Sequence, residues 1–586
     1  MRKLLIYLKD YKRESVLAPL FKLLEAFFEL LVPLVMANMI DRGITNRDMG
    51  FIGKMGACLL VLGIVGLVSS VTAQFFAAKA AVGFSTKLRE ALFGHIQGLN
   101  FTNIDRAGTS TMITRMTSDI NQVQNGVNMV LRLFLRSPII VFGAMIMAFT
   151  IDVKSALVFV VAIPVLAVIV FGIMLWTMPL YKKVQNKLDQ VLGITRENLT
   201  GVRVIRAFHK EEQEEARFRE NNDTLAHLQK YVGKISACMN PVTYLVVNGA
   251  MIALIYVGAI QVDVGNLTQG EVVAIINYMS QILVELVKLA NLIITITKAL
   301  ACAERVSAVF EIQNEGTVTG ENAQEVYEAE GGKLPYLSFQ HVSLTYQGAG
   351  AETLQDIHFT VNKGETIGII GGTGSGKTSL VNLIPKFYPV SEGKILLEGK
   401  DIQNMPEQEL RSRIGVVPQK AVLFKGTVRS NLQWGKPDAT EEEMWQALEL
   451  AQAKEIVEGK QGKLDAEITQ NGKNLSGGQR QRLTIARALV SRPELLILDD
   501  SASALDYATD AKLRAALRTL EGTTTTFIVS QRASTIRHAD KIIVLDDGEM
   551  AGVGTHEELL ENCTVYQEIY YSQYPKERAQ KGGSMA

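Results

Sequence analysis

Residues 371–379 of the chain read Gly-Gly-Thr-Gly-Ser-Gly-Lys-Thr-Ser, and the second half of the chain is organised around these residues. The β-branched run at 366–370 predicts a buried strand before it, and the run at 379–384 predicts the first turns of a helix after it. A strand, a glycine-rich turn and a helix in this order form the context in which GxxxxGK[ST] binds phosphate. We therefore interpret the stretch as a phosphate-binding loop.

The residues of this loop have distinct predicted functions. Its glycines allow backbone N–H groups to turn inward around a phosphate, and the helix N-terminus adds the positive end of a dipole. Lys377 would supply charge to the β- and γ-phosphates, and the Thr378 hydroxyl would be a ligand of Mg²⁺. The implied cofactors are ATP and Mg²⁺. The predicted nucleotide ligands in the loop are Gly371, Thr373, Gly374, Ser375, Gly376, Lys377, Thr378 and Ser379.

Charge and cysteine usage exclude several classes of protein. The 586 residues include 60 Lys and Arg and 60 Asp and Glu, so the formal net charge is zero, and no basic field favours nucleic acid as a partner. The four cysteines form no CxxC pair, so neither a disulfide framework nor a zinc site is predicted. Long apolar runs dominate up to about residue 309, and an ordinary soluble mixture follows.

The first half contains six apolar stretches that are long enough to cross a bilayer. They lie at about 16–40, 56–78, 127–149, 155–180, 235–261 and 271–299. Helical periodicity continues beyond the spans at 79–99 and 181–208, which predicts long helices below the membrane, joined by short elements near 103–111 and 210–219. Residues 1–13 have cationic side chains among apolar ones at helical spacing, as is typical of a helix on the membrane surface.

The charges between the spans give their orientation. The N-terminus and the segments 79–126 and 181–234 are rich in Lys and Arg, whereas the connections at 41–50 and 150–154 carry few. The positive-inside rule then places both termini in the cytoplasm. A loop that binds ATP must face the same side. We therefore expect a multi-pass protein of the cell inner (plasma) membrane with both termini cytoplasmic.

Charged side chains inside the spans fall into three groups, each on one helix face: Lys22, Glu25 and Glu29; Arg132 and Arg136; Glu285 and Lys288. A charge at the membrane centre costs about 2.5–3.5 kcal/mol on insertion scales, so these side chains should face protein or water. Two interpretations stay open, a hydrated substrate cavity and internal ion pairing or an interfacial position. Glu25 and Glu29 are the candidate substrate contacts, because two acids there share one cation.

Short β runs alternate with helical runs from residue 336 onward, which is an α/β pattern. Tyr346 follows one strand and could stack on adenine, and Gln419 follows another with an amide that could reach Mg²⁺ or water. The buried strand at 495–499 ends in Asp499, the carboxylate that the Mg²⁺ side of such a site requires.

A second glycine-rich helix start follows the phosphate loop. Residues Ser476, Gly477, Gly478 and Gln479 open the helix predicted at 480–489. Taken alone, Ser476 would more often be an ordinary N-cap. Beside a phosphate loop, a serine and two glycines at a helix N-terminus predict a second phosphate-binding nest.

Five motifs thus follow one another: Gly-Gly-Thr-Gly-Ser-Gly-Lys-Thr, Gln419, Leu-Ser-Gly-Gly-Gln at 475–479, Leu-Leu-Ile-Leu-Asp-Asp at 495–500 and Ser-Ala-Leu-Asp at 503–506. This set resembles the nucleotide-binding domain of an ABC transporter. With six preceding spans, the whole chain is similar to an exporter-type half-transporter, and more narrowly to one subunit of the bacterial heterodimeric multidrug exporters. The fold implied is multi-domain: an all-α six-helix transmembrane domain at 1–314, a linker at 315–335 and an α/β P-loop nucleotide-binding domain at 336–586.

The resemblance implies two chains that work as a pair. Each ATP would lie between the P-loop of one chain and residues 476–479 of the other, with Asp506 also at the nucleotide. The elements near 103–111 and 210–219 would be coupling helices, the second docking on the partner. The implied partners are a second, non-identical ABC half-transporter, the lipid bilayer and an amphiphilic small molecule.

The sequence departs from the family pattern at the residues that activate water. Asp500 stands where hydrolytic members carry Glu, and a misplacement of about 1 Å can cost about a hundredfold in rate. Gln531 stands at the position of the usual His, and Gln cannot carry imidazolium charge. Gln470 replaces another usual Glu. Because the binding residues are intact, we expect a site that holds Mg-ATP but turns over slowly, in a heterodimer whose partner has the competent site.

Two other functions are compatible with the same motifs. One is an ATP-gated regulator or channel, in which slow hydrolysis times opening. The other is an uptake transporter, because the export direction rests on analogy. A soluble DNA-repair ATPase shares the Leu-Ser-Gly-Gly-Gln motif, but the six spans exclude it.

Overall fold

The computed structural model of the chain describes residues 3–313, 334–346 and 348–575. The chain forms two compact units. The first contains Met1–Gly98 and Thr109–Ile312, and the second contains Leu99–Gly108 and Gln313–Ala586.

The expected domain boundaries stay predictions. Of the linker predicted at 315–335, only the last two residues belong to the part of the chain that the structure describes. The expected membrane domain at 1–314 and nucleotide-binding domain at 336–586 differ from the two units in one respect. The segment Leu99–Gly108 belongs to the second unit, although it lies between two membrane-length helices.

The helices up to residue 310 are α1 Lys12–Asn38, α2 Met49–Gln97, α3 Phe101–Ala107, α4 Thr109–Thr114, α5 Ile120–Leu133, α6 Arg136–Ile151, α7 Val153–Thr200, α8 Val202–Ala207, α9 Glu211–Ala237, α10 Met239–Asp263 and α11 Gln269–Phe310. A 3₁₀ helix, Leu4–Tyr11, leads directly into α1. Two π-helical segments, Met39–Ile44 and Arg115–Asp119, join neighbouring helices. The predicted position of residues 1–13 on a membrane surface stays a prediction.

Six continuous helical stretches in the described residues are long and apolar enough to cross a membrane, as the sequence predicts. They are Leu4–Ile44, Met49–Gln97, Thr109–Ile151, Val153–Thr200, Glu211–Asp263 and Gln269–Phe310. With 49 residues, α2 is about 74 Å long at 1.5 Å per residue, whereas a hydrocarbon core is only about 30 Å thick. The helices therefore extend well beyond the bilayer, as the periodicity predicts.

Small side chains on α2 explain how the first unit packs. Ala73, Ala77 and Ala81 recur every four residues, and all three are fully buried. The opposite face exposes large apolar residues such as Leu60 and Leu67. Because lipid is as apolar as leucine, membrane helices associate through small residues that let backbones approach closely. The alanine stripe therefore faces protein, and the leucine face is suited to lipid.

The tips of the two long helical pairs differ from prediction. The short helix near 103–111 is α3, which ends at Ala107. The next residue, Gly108, has a φ of 76°, in the left-handed region. At the second tip, the expected element at 210–219 is instead the start of α9, and the short helix is α8. Gly201 ends α7, and His209 adopts a left-handed φ of 53° before α9 begins. Because of these two breaks, the short helix at the tip lies earlier in the sequence than the charge pattern predicts.

In its described residues, the second unit contains twelve short strands: β1 Leu337–Leu344, β2 Leu354–Val361, β3 Thr366–Gly371, β4 Glu392–Leu397, β5 Lys400–Asp401, β6 Ile414–Val417, β7 Gly426–Thr427, β8 Glu467–Ile468, β9 Leu495–Asp499, β10 Thr525–Val529, β11 Lys541–Asp546 and β12 Glu549–Gly554. Its further helices are α12 Lys377–Leu383, α13 Glu407–Ser412, α14 Val428–Leu432, α15 Glu441–Leu450, α16 Lys454–Glu458, α17 Gly477–Leu489, α18 Tyr507–Arg518, α19 Ala533–Ile536, α20 His556–Asn562 and α21 Thr564–Gln573.

The strands form a six-stranded sheet in the order β12-β11-β3-β10-β9-β6, a four-stranded sheet in the order β2-β1-β4-β5, and the pair β7-β8. In the six-stranded sheet only the β11–β12 pair is antiparallel. Val529 at the end of β10 pairs with Ile369 on β3 and with Asp499 on β9. Because the strands are parallel, their carboxyl ends meet at one edge, where open α/β sheets bind ligands.

Candidate active site

A cavity of about 240 Å³ lies at the carboxyl edge of the parallel strands. The loop after β3 forms one wall, and the ends of β6, β9 and β10 form the other. The residues that line it are Thr353, Thr373, Gly374, Ser375, Gly376, Lys377, Thr378, Ser379, Gln419, Asp499, Asp500, Val529, Ser530 and Gln531. The sheet thus brings together residues that lie more than 150 positions apart in the sequence.

Glycine is required where the loop turns into α12. Gly374 and Gly376 have φ of 88° and 89°, which side chains rarely adopt. A Cβ on Gly376 would also lie 2.6 Å from Leu354 Cδ2 and 3.0 Å from the Thr353 carbonyl oxygen. The loop can therefore hold this shape only with glycines at these positions, and its backbone stays open towards the cavity.

Lys377 is buried at the first position of α12. Its Nζ donates to the carbonyl oxygen of Gly371 at 3.0 Å, to the carbonyl oxygen of Gly372, and to Ser375 Oγ at 3.3 Å. Burial lowers the pKa of Lys377, and the charges of Asp500 and Asp499 oppose this shift. The ammonium group is therefore held by the loop itself, beside the space that a phosphate would fill.

Thr378 and Asp499 face each other across the cavity. The Thr378 hydroxyl lies 3.1 Å from both carboxylate oxygens of Asp499. Burial raises the pKa of Asp499, and the hydrogen bond from Thr378 opposes this. A hydroxyl and a carboxylate are oxygen ligands of the kind that Mg²⁺ takes beside phosphates. The pair therefore fits the metal that the sequence predicts.

Asp500 is held in an unusual conformation next to Asp499. Its φ is 42°, in the left-handed region, and its backbone N–H donates to the Val529 carbonyl oxygen at 3.0 Å. Burial raises the pKa of the Asp500 carboxyl, whereas a hydrogen bond from Gln419 and the charges of Arg532 and Lys377 lower it. The carboxylate is thus engaged by Gln419 within the cavity wall.

Gln531 lines the cavity from the segment after β10. Its backbone carbonyl accepts a hydrogen bond of 2.8 Å from Gln573, which fixes the segment against α21. Three lining residues, Thr353, Val529 and Ser530, are not among the predicted site residues. The signal for Ser530 is its place just after a buried β-branched strand, the same signal that identifies Asp499.

Tyr346 is not among the residues that line the cavity. Its hydroxyl donates to Ser379 Oγ at 3.0 Å, and its ring stands perpendicular to Tyr388 with 5.0 Å between centroids. Gly371 also lies behind the cavity, where a Cβ would be 2.1 Å from the Leu545 carbonyl oxygen. The stacking of Tyr346 on adenine stays a prediction, and its contact with Ser379 ties it to the loop helix.

The helix α3 packs against the same aromatic group within the second unit. Phe101 lies 4.7 Å from Phe387 between ring centroids, and the Tyr388 hydroxyl donates to Asp105 at 2.6 Å. Burial and this hydrogen bond raise the pKa of Tyr388. Contacts therefore run from Asp105 through Tyr388 to Tyr346, one contact away from the phosphate loop.

The second glycine-rich motif borders a different cavity. Ser476 caps α17: its Oγ accepts from the Gln479 backbone at 3.3 Å, and its own backbone N–H donates to Gln479 Oε1 at 3.0 Å. Gly477 lines a cavity of about 460 Å³, which shares only Gln419 with the first. Within one chain, Ser476, Gly477, Gly478 and Gln479 therefore do not join the residues of the phosphate loop.

Asp506, predicted at the nucleotide, caps α18. Its two carboxylate oxygens accept from the backbone N–H and the hydroxyl of Thr509, both at 2.9 Å. These bonds, the backbone one first, lower the pKa of Asp506. Asp506 does not line the 240 Å³ cavity, so its predicted contact with nucleotide stays a prediction.

Six charged residues of three membrane-length helical stretches form one cluster around Arg136. The guanidinium of Arg136 lies 2.5 Å from Glu285, 2.7 Å from Glu29 and 3.8 Å from Glu25. Arg136 and Glu285 are buried, whereas 40% of the Glu29 side chain is exposed. The cluster links α1, α6 and α11. These charged groups are therefore paired with one another, and Glu29 is the acid whose side chain is most exposed.

Further contacts complete this Arg136 cluster. Lys22 lies 2.5 Å from Glu25 and donates to Ser70 at 3.0 Å. Lys288 lies 2.8 Å from Glu285, which also accepts from Ser137 at 2.8 Å. Three acids and three bases balance, which is how charges within membrane helices are normally stabilised.

Comparison with protein families gives two matches. Residues 15–286 match the ABC transporter transmembrane region, and residues 354–503 match the ABC transporter model. A solved structure, described as a bacterial Atm1-family ABC exporter with ATP bound, has a TM-score of 0.78 at 24% identity. It covers 96% of this chain and 98% of that one, which shows that the two share a fold.

Three curated relatives extend over nearly the whole chain. The uncharacterized ABC transporter ATP-binding protein YfiB of Bacillus subtilis is 36% identical over 577 residues, 98% of this chain and 99% of YfiB. The ATP-dependent lipid A-core flippase of Chromobacterium violaceum is 30% identical over 582 residues, 99% and 98% of the two chains. The putative multidrug export ATP-binding/permease protein YgaD of Bacillus subtilis is 31% identical over 583 residues, 97% and 98%.

The fold, the cavity and the relatives all indicate the same protein family. Six membrane-length helices precede a domain whose parallel sheet presents the phosphate loop and Asp499 to one cavity, and the matches cover both parts of the chain. The chain is therefore a multi-pass membrane protein with an ATPase domain that couples ATP hydrolysis to transport, and it belongs to the ABC transporter family as a half-transporter of the exporter type.

Proposed function

We propose that the chain is one subunit of a heterodimeric exporter, in the cell inner membrane with both termini cytoplasmic, that moves amphiphilic drugs or lipids out of the cytoplasm or inner leaflet by alternating access. Support for the substrate class comes from relatives named as a lipid A-core flippase and a putative multidrug exporter. The observation that carries the heterodimer is the contrast within one site: an intact phosphate loop faces altered water-activating residues, Asp500 and Gln531.

The residues present fit Mg-ATP. The loop from Gly371 to Ser379 would cradle the phosphates, with Lys377 as the cation, and Thr378 and Asp499 would hold Mg²⁺ with Gln419 beside them. When bound, Mg²⁺ neutralises negative charge on the β- and γ-phosphates. The open cradle at Gly374, where an added Cβ would meet nothing within 4 Å, leaves room for the backbone N–H groups to face a phosphate.

Slow turnover at this site follows from the position of two side chains. The Asp500 carboxylate is one methylene shorter than that of Glu, and Gln419 lies near it in the cavity wall. Gln531 offers an amide, which has no charge to place against a transition state that gathers negative charge. Neither side chain is therefore suited to activate water, although both can contact nucleotide.

The partner then supplies the competent site. Ser476 and Gly477 lie away from their own phosphate loop, so they are free to complete a cavity on a second chain. The N-terminus of α17 would place its positive dipole end against the partner's ATP. In this arrangement α3, and the tip that contains α8 and the start of α9, would serve as coupling helices.

We expect the chain purified alone to show little ATP hydrolysis, and a non-identical half-transporter to restore it. The chain is tagged, purified from native membranes and its partners are identified by mass spectrometry. An equimolar second ABC half-transporter and higher ATPase activity in the pair support the proposal. Rapid turnover by the purified homodimer would refute the heterodimer and leave the transporter assignment intact.

The two acids of α1 in the Arg136 cluster, Glu25 and Glu29, are the proposed substrate contacts. Acids that face an aqueous cavity attract lipophilic cations, and Glu29 is the most exposed acid of the cluster. We expect Glu25→Gln combined with Glu29→Gln to weaken transport of cationic dyes more than of neutral ones. The measurement is ATP-driven dye uptake by inside-out vesicles, with Asp263→Asn, an exposed acid at the end of α10, as the matched control. An equal loss for both dye classes would exclude substrate contact.

The same vesicles discriminate the alternative functions. Export from the cytoplasm predicts that dye accumulates inside inside-out vesicles when ATP is added. Accumulation only in right-side-out vesicles would indicate an uptake transporter. ATP-dependent ionic current without dye movement would indicate a gated channel.

A further inference from the structure

We propose that His341, Asp356 and His358 form a surface site for a divalent transition-metal ion, of which Zn²⁺ is the most suitable probe. The three residues lie on β1 and β2 of the four-stranded sheet, and none lines the nucleotide cavity. The site is therefore separate from the Mg-ATP site and independent of the proposed transport function.

The ligand atoms already lie close together. One ligand atom from each of the three side chains lies within 4.8 Å of the others, and His341 Nδ1 is 2.5 Å from Asp356 Oδ1. The two imidazole rings stack with 5.6 Å between centroids. Asp356 and His358 lie two positions apart on β2, and Asp356 has a left-handed φ of 47°, so its side chain departs from the regular alternation of a strand and lies beside the His341 ring.

The backbone explains why His341 joins them. The β1–β2 register runs from Phe339 opposite Phe359 to Val342 opposite Ile357, so β1 has one extra residue there. Such a bulge re-aims a side chain. The backbone of β1 at His341 is also held from the other side by β4, where a Cβ on Gly393 would lie 2.1 Å from the His341 carbonyl oxygen. The fold therefore fixes the backbone of the third ligand.

The ligand set selects the metal. Two imidazoles and one carboxylate suit Zn²⁺, Cu²⁺ or Ni²⁺, whereas Mg²⁺ prefers an all-oxygen set. Zn–N and Zn–O bonds of about 2.0–2.2 Å in a tetrahedron place ligand atoms about 3.3–3.6 Å apart. The side chains of His341 and Asp356 are 77% and 68% exposed, so small rotations can bring the atoms to that spacing. Water would fill the remaining position.

The test is Zn²⁺ binding to the full-length chain in detergent. The protein carries a tag without histidine and is free of nucleotide, and Zn²⁺ is titrated by isothermal calorimetry. Removing a residue that only supports a metal ligand costs about 10–100-fold in metal affinity, and removing a ligand should cost at least as much. We therefore expect His341→Gln, His358→Gln and Asp356→Asn each to weaken Zn²⁺ binding by at least about tenfold. The matched controls are His209→Gln and His227→Gln, exposed histidines on other segments.

Two further readouts distinguish the site from loss of folding and from other sites. Zn²⁺ should raise the apparent unfolding temperature of the wild type and the controls but not of His341→Gln with His358→Gln. The electron paramagnetic resonance spectrum of bound Cu²⁺ should show hyperfine coupling to nitrogen in the wild type and not in His341→Gln with His358→Gln. Each variant is first checked for ATP binding equal to the wild type. Unchanged Zn²⁺ stoichiometry and affinity in the double variant would overturn the proposal.

Discussion

Replacing Ser476 by Arg should abolish most ATP hydrolysis by the heterodimer, whereas Asp500→Asn should leave much of it. Ser476 caps α17, the helix whose N-terminus would close over the partner's ATP. An arginine there removes the cap and fills the space that the partner's phosphates would approach. Charge stabilisation at a transition state contributes about 2.7–4 kcal/mol per group, so its loss corresponds to roughly 10²–10³ in rate.

Asp500→Asn removes a carboxylate from the slow site, which should contribute little to the ATP hydrolysis of the heterodimer. The measurement is steady-state hydrolysis by heterodimers that carry one altered chain. Thr440→Arg is the matched control, because Thr440 caps α15 with the same capping box away from the glycine-rich motif. Equal inactivation by Asp500→Asn and Ser476→Arg would mean that Asp500 is a working catalytic acid.

Arg136→Met should strongly destabilise the first unit. Arg136 and Glu285 are both buried and lie 2.5 Å apart, and Glu285 would keep Lys288 as its remaining ion-pair partner. Breaking a buried ion pair from one side costs about 3–5 kcal/mol, because an uncompensated charge stays buried. Adding Glu285→Gln should recover part of the loss, since the double variant leaves no buried carboxylate at that position.

Thermal unfolding followed with a thiol-reactive dye suits this chain. Cys302 and Cys563 are buried, so each reports when its unit opens, once the two exposed cysteines have been replaced by serine. The apparent unfolding temperature of Arg136→Met should fall by an amount on the order of 10 °C. Arg132→Met is the control: Arg132 lies one turn earlier and, in the part of the chain that the structure describes, takes part in none of the ion pairs of Arg136. Equal effects of the two substitutions would exclude a special contribution of the Arg136 pair.

The sequence predicts the elements whose signals are local. The six spans are visible from composition, and the phosphate loop is visible because Gly374, Gly376 and Lys377 follow a β-branched strand. The convergence of Asp499 with this loop also follows, since parallel strands present their carboxyl ends at one edge. For these features, residue type and spacing alone carry the physical cause.

Other features depend on contacts between distant segments. Arg136 and Glu285 are 149 residues apart, and no spacing rule shows that they pair rather than face a cavity. The tip helix α8 was missed because charge at 210–219 outweighs the weak break at Gly201. Thr353 reaches the nucleotide cavity only because β2 lies beside the loop. Tyr388 meets Asp105 only because the segment Leu99–Gly108 packs inside the second unit, far along the chain from its own position.

The two ATP sites of the proposed heterodimer should differ, and trapping the nucleotide on each chain tests this. The heterodimer is incubated with radioactive azido-ATP and Mg²⁺, cross-linked by light after one short interval, and the two chains are separated. We expect this chain to retain mostly unhydrolysed ATP, held by Lys377 and Thr378, and the partner to retain mostly ADP. Equal proportions of ADP on both chains from the earliest time point would contradict the account.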